Sequence, residues 1–200
     1  MEKTLYLVRH GQTLFNVQHK IQGWCDSALT EQGIHEAQTV RQYFQSKGIR
    51  FDQAYCSTSE RTSDTLELIT DQPYTRLKGL KEWHFGRLEG ENDVINPPLP
   101  FRDFFVEYGG EEEKAFQKRA AETCLGLMEG EAQTVLAVTH GAFCGQFRKF
   151  WDHTSKEADR LNGRSAQIGN CCIFKYRYSE GNFYLDDIIN HEEQIKRMEG

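Results

Sequence analysis

The chain has only four prolines and three methionines in 200 residues, and no apolar run approaches the ~18 residues that a membrane helix needs. Its opening segment, MEKTLYLVRHGQT, lacks the longer apolar core of a signal peptide, so the expected location is the cytoplasm, with no membrane partner. Positive charge is in deficit: 24 Lys and Arg against 30 Asp and Glu leave a net charge of −6, which offers no counterion-driven attraction to nucleic acid. The six cysteines (Cys25, Cys56, Cys124, Cys144, Cys171, Cys172) include no C-x-x-C pair, and two are adjacent. That spacing suits neither a zinc site nor a disulfide framework, so packed thiols are expected.

Several catalytic signatures are also missing. There is no G-x-x-x-x-G-K-[ST] loop, no G-x-G-x-x-G fingerprint and no G-x-S-x-G elbow. The histidines lack H-x-x-x-H spacing, so neither a metal nor a cofactor is expected. Cys56 and Arg61 are separated by four residues without a glycine, too few for the phosphate loop of a cysteine phosphatase.

What is present reads as one α/β domain over 1–200, a size suited to a single core. Segment 4–8 is a short apolar run of strand length, and a polar loop follows it to about Thr30. Ile34, Ala37, Val40 and Phe44 recur at helical spacing, with Thr30 as N-cap and Gly48 just past the C-terminus. Further strands are expected at 51–56, 74–80 and 134–138, with helices over 59–69 and 111–128. Residues 171–178 and 182–189 flank Ser-Glu-Gly-Asn as a hairpin. Strands alternating with helices predict a three-layer α/β/α sandwich with a mostly parallel central sheet. The irregular stretch 83–110 holds every proline but Pro73 and many aromatics, and is expected to act as a lid. Most of its aromatics are expected to pack the lid onto the core, with Trp83 and Phe105 the first candidates for touching a leaving group. No heptad pattern marks an oligomeric state.

Each presumed sheet strand runs into polar residues at its carboxyl end: Arg9-His10, Ser57 with Arg61 one turn later, Glu82, and His140. In an open α/β sheet that edge is where ligands bind. Two guanidinium forks suit phosphate oxygens and the charge of a phosphoryl transition state. A neutral imidazole can attack phosphorus, and a carboxylic acid can protonate the departing oxygen.

Leu7-Val8-Arg9-His10-Gly11-Gln12-Thr13 with Asn16 resembles the signature of the histidine phosphatase superfamily, the phosphoglycerate mutase-like proteins. Further segments match in collinear order: Gln22-Gly23 with Asp26, Leu29-Thr30 and Gly33; Ser57, Arg61 and Thr65; Glu82 with Phe85-Gly86 and Glu89-Gly90; and Val138-Thr139-His140-Gly141. The resemblance implies that His10 becomes phosphohistidine, that Arg9, Arg61 and His140 form the phosphate pocket, and that Glu82 donates a proton to the leaving group. It implies substrate contacts from Asn16, Gln22, Gly23 and Gly141, and no metal. Gln12 departs from the family, in which many members carry Glu, and Ser59 and Glu60 also differ from the usual types.

The implied activity is a metal-independent phosphatase acting on a small phosphorylated metabolite. The alternatives are a cofactor-dependent mutase, which the short chain and the Glu82-Trp83-His84-Phe85-Gly86 segment disfavour, and a phosphate-binding protein without turnover, which the intact constellation disfavours. Between Glu82 and Glu113 nine acids face two bases. An acidic lid of that kind is expected to reject bisphosphates and to favour a neutral, apolar or cationic leaving group; the alternative for Glu111-Glu112-Glu113 is that they only cap the next helix through its dipole.

Overall fold

The computed structural model describes residues 2–151 and 168–199. A six-stranded sheet of order β3-β2-β4-β1-β5-β6 forms its centre. The strands are β1 (Lys3–Arg9), β2 (Gln53–Ser57), β3 (Thr75–Leu77), β4 (Thr134–Thr139), β5 (Ile173–Ser179) and β6 (Asn182–Ile189). The first four pair in parallel, while β5 and β6 pair antiparallel and extend the β1 edge. The helices are α1 (Leu14–Val17), α2 (Glu31–Ser46), α3 (Glu60–Ile69), α4 (Glu113–Leu127), α5 (Gly141–Phe150) and α6 (His191–Glu199).

Alternation along the strands divides the interior into two layers. Tyr6 and Val8 of β1 face Val40, Tyr43 and Phe44 of α2 and Leu66 and Ile69 of α3. Leu5 and Leu7 face the other way, toward Phe116 and Cys124 of α4 and Phe143 and Phe147 of α5. Because side chains alternate with period two, one strand serves both layers, and both faces of the sheet are covered. The chain leaving β1 therefore continues to α2 on one face, whereas the chain leaving the neighbouring β4 enters α5 on the other. A divergence of this kind between adjacent parallel strands opens a crevice at their carboxyl ends.

Local signals account for most boundaries. Thr30 caps α2 by accepting from Gly33 N at 3.1 Å, and Gly48 follows the helix at φ +63°. The β5–β6 turn is Glu180-Gly181, both at positive φ, as a two-residue hairpin requires. Three expectations change. The third strand is shorter than 74–80, because Lys78–Leu80 closes into a 3-10 turn. The loop to Thr30 contains α1, held by a reciprocal Thr13–Asn16 capping box. The helices α5 and α6 were not foreseen.

The 83–110 stretch is bound to the core rather than draped over it. Trp83 packs against Phe85, Phe101, Phe105 and Phe116 with ring centroids 5.2–6.4 Å apart, each such pair contributing about 0.5–1.5 kcal/mol beyond burial. Trp83 and Phe105 are consequently core residues, not the leaving-group contacts expected of them. Phe85 is the aromatic of this stretch that reaches the cleft.

The turn after β1 depends on glycine. A Cβ on Gly33 would lie 2.1 Å from Gln12 O, and one on Gly11 would lie 2.5 Å from Gly33 O. Gly33→Ala is expected to destabilise the protein by about 1–3 kcal/mol in urea unfolding and to lower activity by displacing the turn that carries His10. Gly48→Ala, which meets no atom but holds a positive φ, is expected to cost about 1 kcal/mol and leave activity intact.

Candidate active site

Strand register builds the centre of the site. Arg9 lies opposite Thr139 in the parallel β1–β4 ladder, so His10 and His140 emerge side by side. His10 N donates to Thr139 O at 2.9 Å, and the two imidazole centroids lie 5.4 Å apart. Arg61 enters from the first turn of α3, and Glu82 from the segment after β3. Arg61 Nη2 reaches His140 Nδ1 at 2.8 Å, and Glu82 reaches the amino end of α5. Arg9, His10, Arg61, Glu82 and His140 thus converge as their strand-end positions implied.

Hydrogen bonding decides the state of each imidazole. Guanidinium can only donate, so His140 Nδ1 accepts from Arg61 and the ring proton resides on Nε2. His10 Nδ1 lies 2.8 Å from Gly11 O, a pure acceptor; Nδ1 therefore carries the proton and Nε2 bears the lone pair. Burial, with Arg61 and Arg9 nearby, pushes the His10 pKa well below its ordinary value and keeps the ring neutral. Burial and Arg61 act on His140 in the same direction.

Glu82 is balanced differently. Its Oε1 accepts from Trp83 N and Phe143 N, and Oε2 from Ala142 N, all at 2.9 Å. These donors and the helix terminus favour the carboxylate, yet burial outweighs them and raises the pKa. Its backbone carbonyl is fixed by Trp24 Nε1 at 3.0 Å and Arg119 Nη2 at 3.1 Å.

Three buried donors in this group, Arg9 Nε, Arg61 Nε and His140 Nε2, find no partner among the described residues. An unmet buried donor costs about 1–3 kcal/mol, and more when charged. Arg61 is partly compensated by Asp26 Oδ1 at 2.9 Å. Among the described residues, Arg9 Nη1 donates to the Ile168 carbonyl at 2.6 Å. With two guanidiniums and two neutral imidazoles, the site carries surplus positive charge and unused donors, which is what a bound phosphoryl group supplies with partners.

A cleft of about 290 Å³ opens over the centre, lined by Arg9, His10, Glu82 and Gly141, with Asn16, Gln22 and Phe85 beside them and Lys20, Asp93 and Asn96 on the rim. Asn16 is anchored by its Oδ1, which accepts from Thr13 N and Asn170 Nδ2. Gln22 accepts from Thr13 Oγ1 and donates to Ser27 Oγ. Gly23 lies behind the site rather than on the cleft: its carbonyl accepts from Arg61 Nη2 at 2.9 Å, and a Cβ there would lie 2.4 Å from Glu89 Oε1. Gln12 turns toward the cap of α2, where its Oε1 accepts from Thr30 Oγ1.

Two supports had little or no sequence signal. Asp26 belonged to a recognised motif without a role, and it orients both Arg61 and the Glu60 amide. Asn170, 160 positions from His10, donates to His10 O at 3.2 Å while Cys171 N donates to the same oxygen at 3.3 Å. Gln194 of α6 in turn holds Cys171 O at 2.8 Å. Such long-range buttresses leave no local pattern.

The expected acidic lid is corrected. Of the nine acids in 82–113, only Glu82 and Asp93 line the cleft, and Arg9 and Lys20 line it as well. Glu89 accepts from Cys25 N and Phe85 N, Glu111 pairs with Arg119, and Glu113 pairs with Lys149. Local charge counting missed these structural uses.

Asp26→Asn preserves shape and removes the charge that orients Arg61. It is expected to raise KM for a phosphate ester and lower kcat/KM about tenfold or more, whereas Asp71→Asn, at the surface pair with Arg41, changes neither. Steady-state kinetics on both variants checks this.

A family model described as the histidine phosphatase superfamily (branch 1) matches residues 5–191. A 2,3-bisphosphoglycerate-dependent phosphoglycerate mutase from Beijerinckia indica is 42% identical over 98 residues, covering 46% of this chain and 47% of the relative. The match therefore spans about half the length of that curated relative. Among solved structures, a phosphoglycerate mutase from Bacillus anthracis superimposes with a TM-score of 0.78 at 23% identity, covering 98% of this chain and 96% of the other. A phosphoserine phosphatase variant from Entamoeba histolytica, in complex with phosphoserine, gives 0.77 at 27% identity, covering 95% and 98%. The collinear motifs, the sheet and the family match lead to one conclusion: the chain belongs to the histidine phosphatase superfamily, branch 1.

Proposed function

We propose that the protein is a metal-independent phosphomonoesterase that hydrolyses small phosphate esters through a phosphohistidine at His10. The observation that carries this reading is the His10 ring: Nδ1 is committed to Gly11 O, so Nε2 is the lone-pair nitrogen, beside buried donors that lack partners among the described residues. Arg9, Arg61 and His140 Nε2–H bind the phosphoryl oxygens and offset the charge that develops as phosphorus leaves the ester oxygen. His10 Nε2 forms the new bond to phosphorus. The ester P–O bond breaks, and the departing oxygen takes the proton of Glu82. The phosphorylated imidazole is cationic, and its Nδ1–H bond to Gly11 O stabilises that charge. Water then attacks phosphorus, Glu82 takes a proton from it, and inorganic phosphate leaves with His10 neutral again.

The cleft volume supports a small leaving group. A mutase cycle uses the same first half-reaction, and the names of the curated relatives favour it as the second reading. In that case a second phosphoglycerate, rather than water, collects the phosphoryl group. Phosphate release from p-nitrophenyl phosphate and alkyl monophosphates is expected to be lost in His10→Ala and unaffected by EDTA. Transfer to 3-phosphoglycerate in the presence of its bisphosphate, exceeding phosphate release, supports the mutase instead.

The pH dependence follows from Glu82 and not from His10, whose depressed pKa keeps it neutral through the neutral range. Ester cleavage needs protonated Glu82 and falls as pH rises through its elevated pKa; hydrolysis of phosphohistidine needs the carboxylate and falls in the opposite direction. Glu82→Gln is expected to cost about 10²–10⁴ in kcat on alkyl esters and much less on p-nitrophenyl phosphate, whose leaving group needs no proton. Parallel pH–rate profiles on the two substrate types measure this.

A further inference from the structure

Under the phosphatase reading, two groups act on one ester at once: Arg61 holds phosphoryl oxygens while Glu82 protonates the departing one. They stand on different stretches of chain. Glu82 lies in 81–85, outside helix and strand, so side-chain donors decide where its backbone sits. Arg119 of α4 grips the carbonyls of Gly79, Lys81 and Glu82 at 2.8–3.1 Å and ties that segment to the core. A second donor comes from the loop before α2: Trp24 Nε1 donates to Glu82 O at 3.0 Å.

The same loop holds Arg61. The carbonyls of Gly23 and Cys25, on either side of Trp24, accept from Arg61 Nη2 and Nη1, each at 2.9 Å. This stretch has little room to shift, since a Cβ on Gly23 would lie 2.8 Å from Trp83 O and Cys25 N is bound to Glu89 Oε2 at 2.7 Å. The indole is held as well. The His84 ring packs on it with centroids 4.6 Å apart, and the ammoniums of Lys81 and Lys78 lie 4.9 and 5.3 Å from its centroid. With its backbone neighbours on one group and its ring N–H on the other, Trp24 spans the two in a single residue.

We infer that Trp24 is a positioning residue, which sets the reach of the Glu82 proton relative to the phosphoryl group held by Arg61. It acts through the Glu82 backbone and touches no reacting atom. Losing the indole N–H frees the proton donor, while the phosphate clamp, built on backbone carbonyls, stays in place. This assignment rests on the phosphatase reading above and adds to it a residue outside the phosphate pocket.

Trp24→Phe keeps an aromatic ring beside His84 and the two lysines and removes the donor; Trp24 is only partly buried, so the core is spared. The readout is kcat/KM, which reports the steps up to leaving-group departure, on an alkyl monophosphate and on p-nitrophenyl phosphate, with rates referred to the folded fraction read by urea unfolding. On the alkyl ester it is expected to fall about fivefold to twentyfold, because a displaced proton donor is costly where the leaving group needs its proton. On p-nitrophenyl phosphate it is expected to change by less than about twofold. In a Glu82→Gln background, Trp24→Phe is expected to cost nothing further on the alkyl ester, since two residues that act through one group are not additive. Equal losses on both esters, an unchanged rate on the alkyl ester, or the full loss repeated in Glu82→Gln overturn the assignment and leave the phosphatase intact. A wild type that turns over neither ester overturns the phosphatase reading, and this assignment with it.

Discussion

Burying two guanidiniums beside two neutral imidazoles, at the seam between β1 and β4, is the constraint on which the rest depends. A buried charge is costly unless it is paired and hydrogen-bonded. Among the described residues the pairing is incomplete: Arg61 has Asp26, Arg9 has carbonyl contact but no carboxylate partner, and three donors stay unmet. A purely structural network would gain stability by completing its bonds. Under the proposed function the site reserves them for a phosphoryl dianion, and two well-covered hydrophobic layers provide the stability that tolerates this reserve.

Much of the surrounding architecture serves to hold that centre rigid. The carbonyls of Cys25 and Gly23 and the Asp26 carboxylate fix Arg61. Arg119, bonded to Glu111, Gly79 and Lys81, fixes the backbone at Glu82. Asn170, Cys171 and Gln194 fix the His10 carbonyl from the C-terminal side. Each group proposed for catalysis is thus supported from a different stretch of chain, the kind of support by which a site reaches sub-ångström placement.

What was legible in the sequence was mostly local. Thr30 and Gly48 marked the ends of α2, and apolar runs marked the central strands. The strand-end positions of Arg9, His10, Arg61, Glu82 and His140 identified one converging group, because parallel register brings carboxyl ends to a common edge. Contacts set by long-range packing were not legible. Asn170 and Gln194 act across more than twenty positions of chain or far more, and nothing near them announces a partner. Trp83 and Phe105 were misassigned because an aromatic in a proline-rich stretch reads the same whether it faces a ligand or the core. The acids of 82–113 misled for a related reason: charge counting cannot distinguish a helix clamp such as Glu111 from a cleft residue such as Asp93.

The central claim is that His10 Nε2 carries the phosphoryl group. Its most direct test is to mix enzyme with excess phosphate ester, quench in alkali within the first turnover, where phosphohistidine survives, and map the modified peptide by mass spectrometry. The account predicts a phosphoryl group on His10, formed as fast as the leaving group departs and absent from His10→Ala. Leaving-group release in the same first turnover with no phosphorylated histidine, or with the phosphoryl group on another residue, would contradict it.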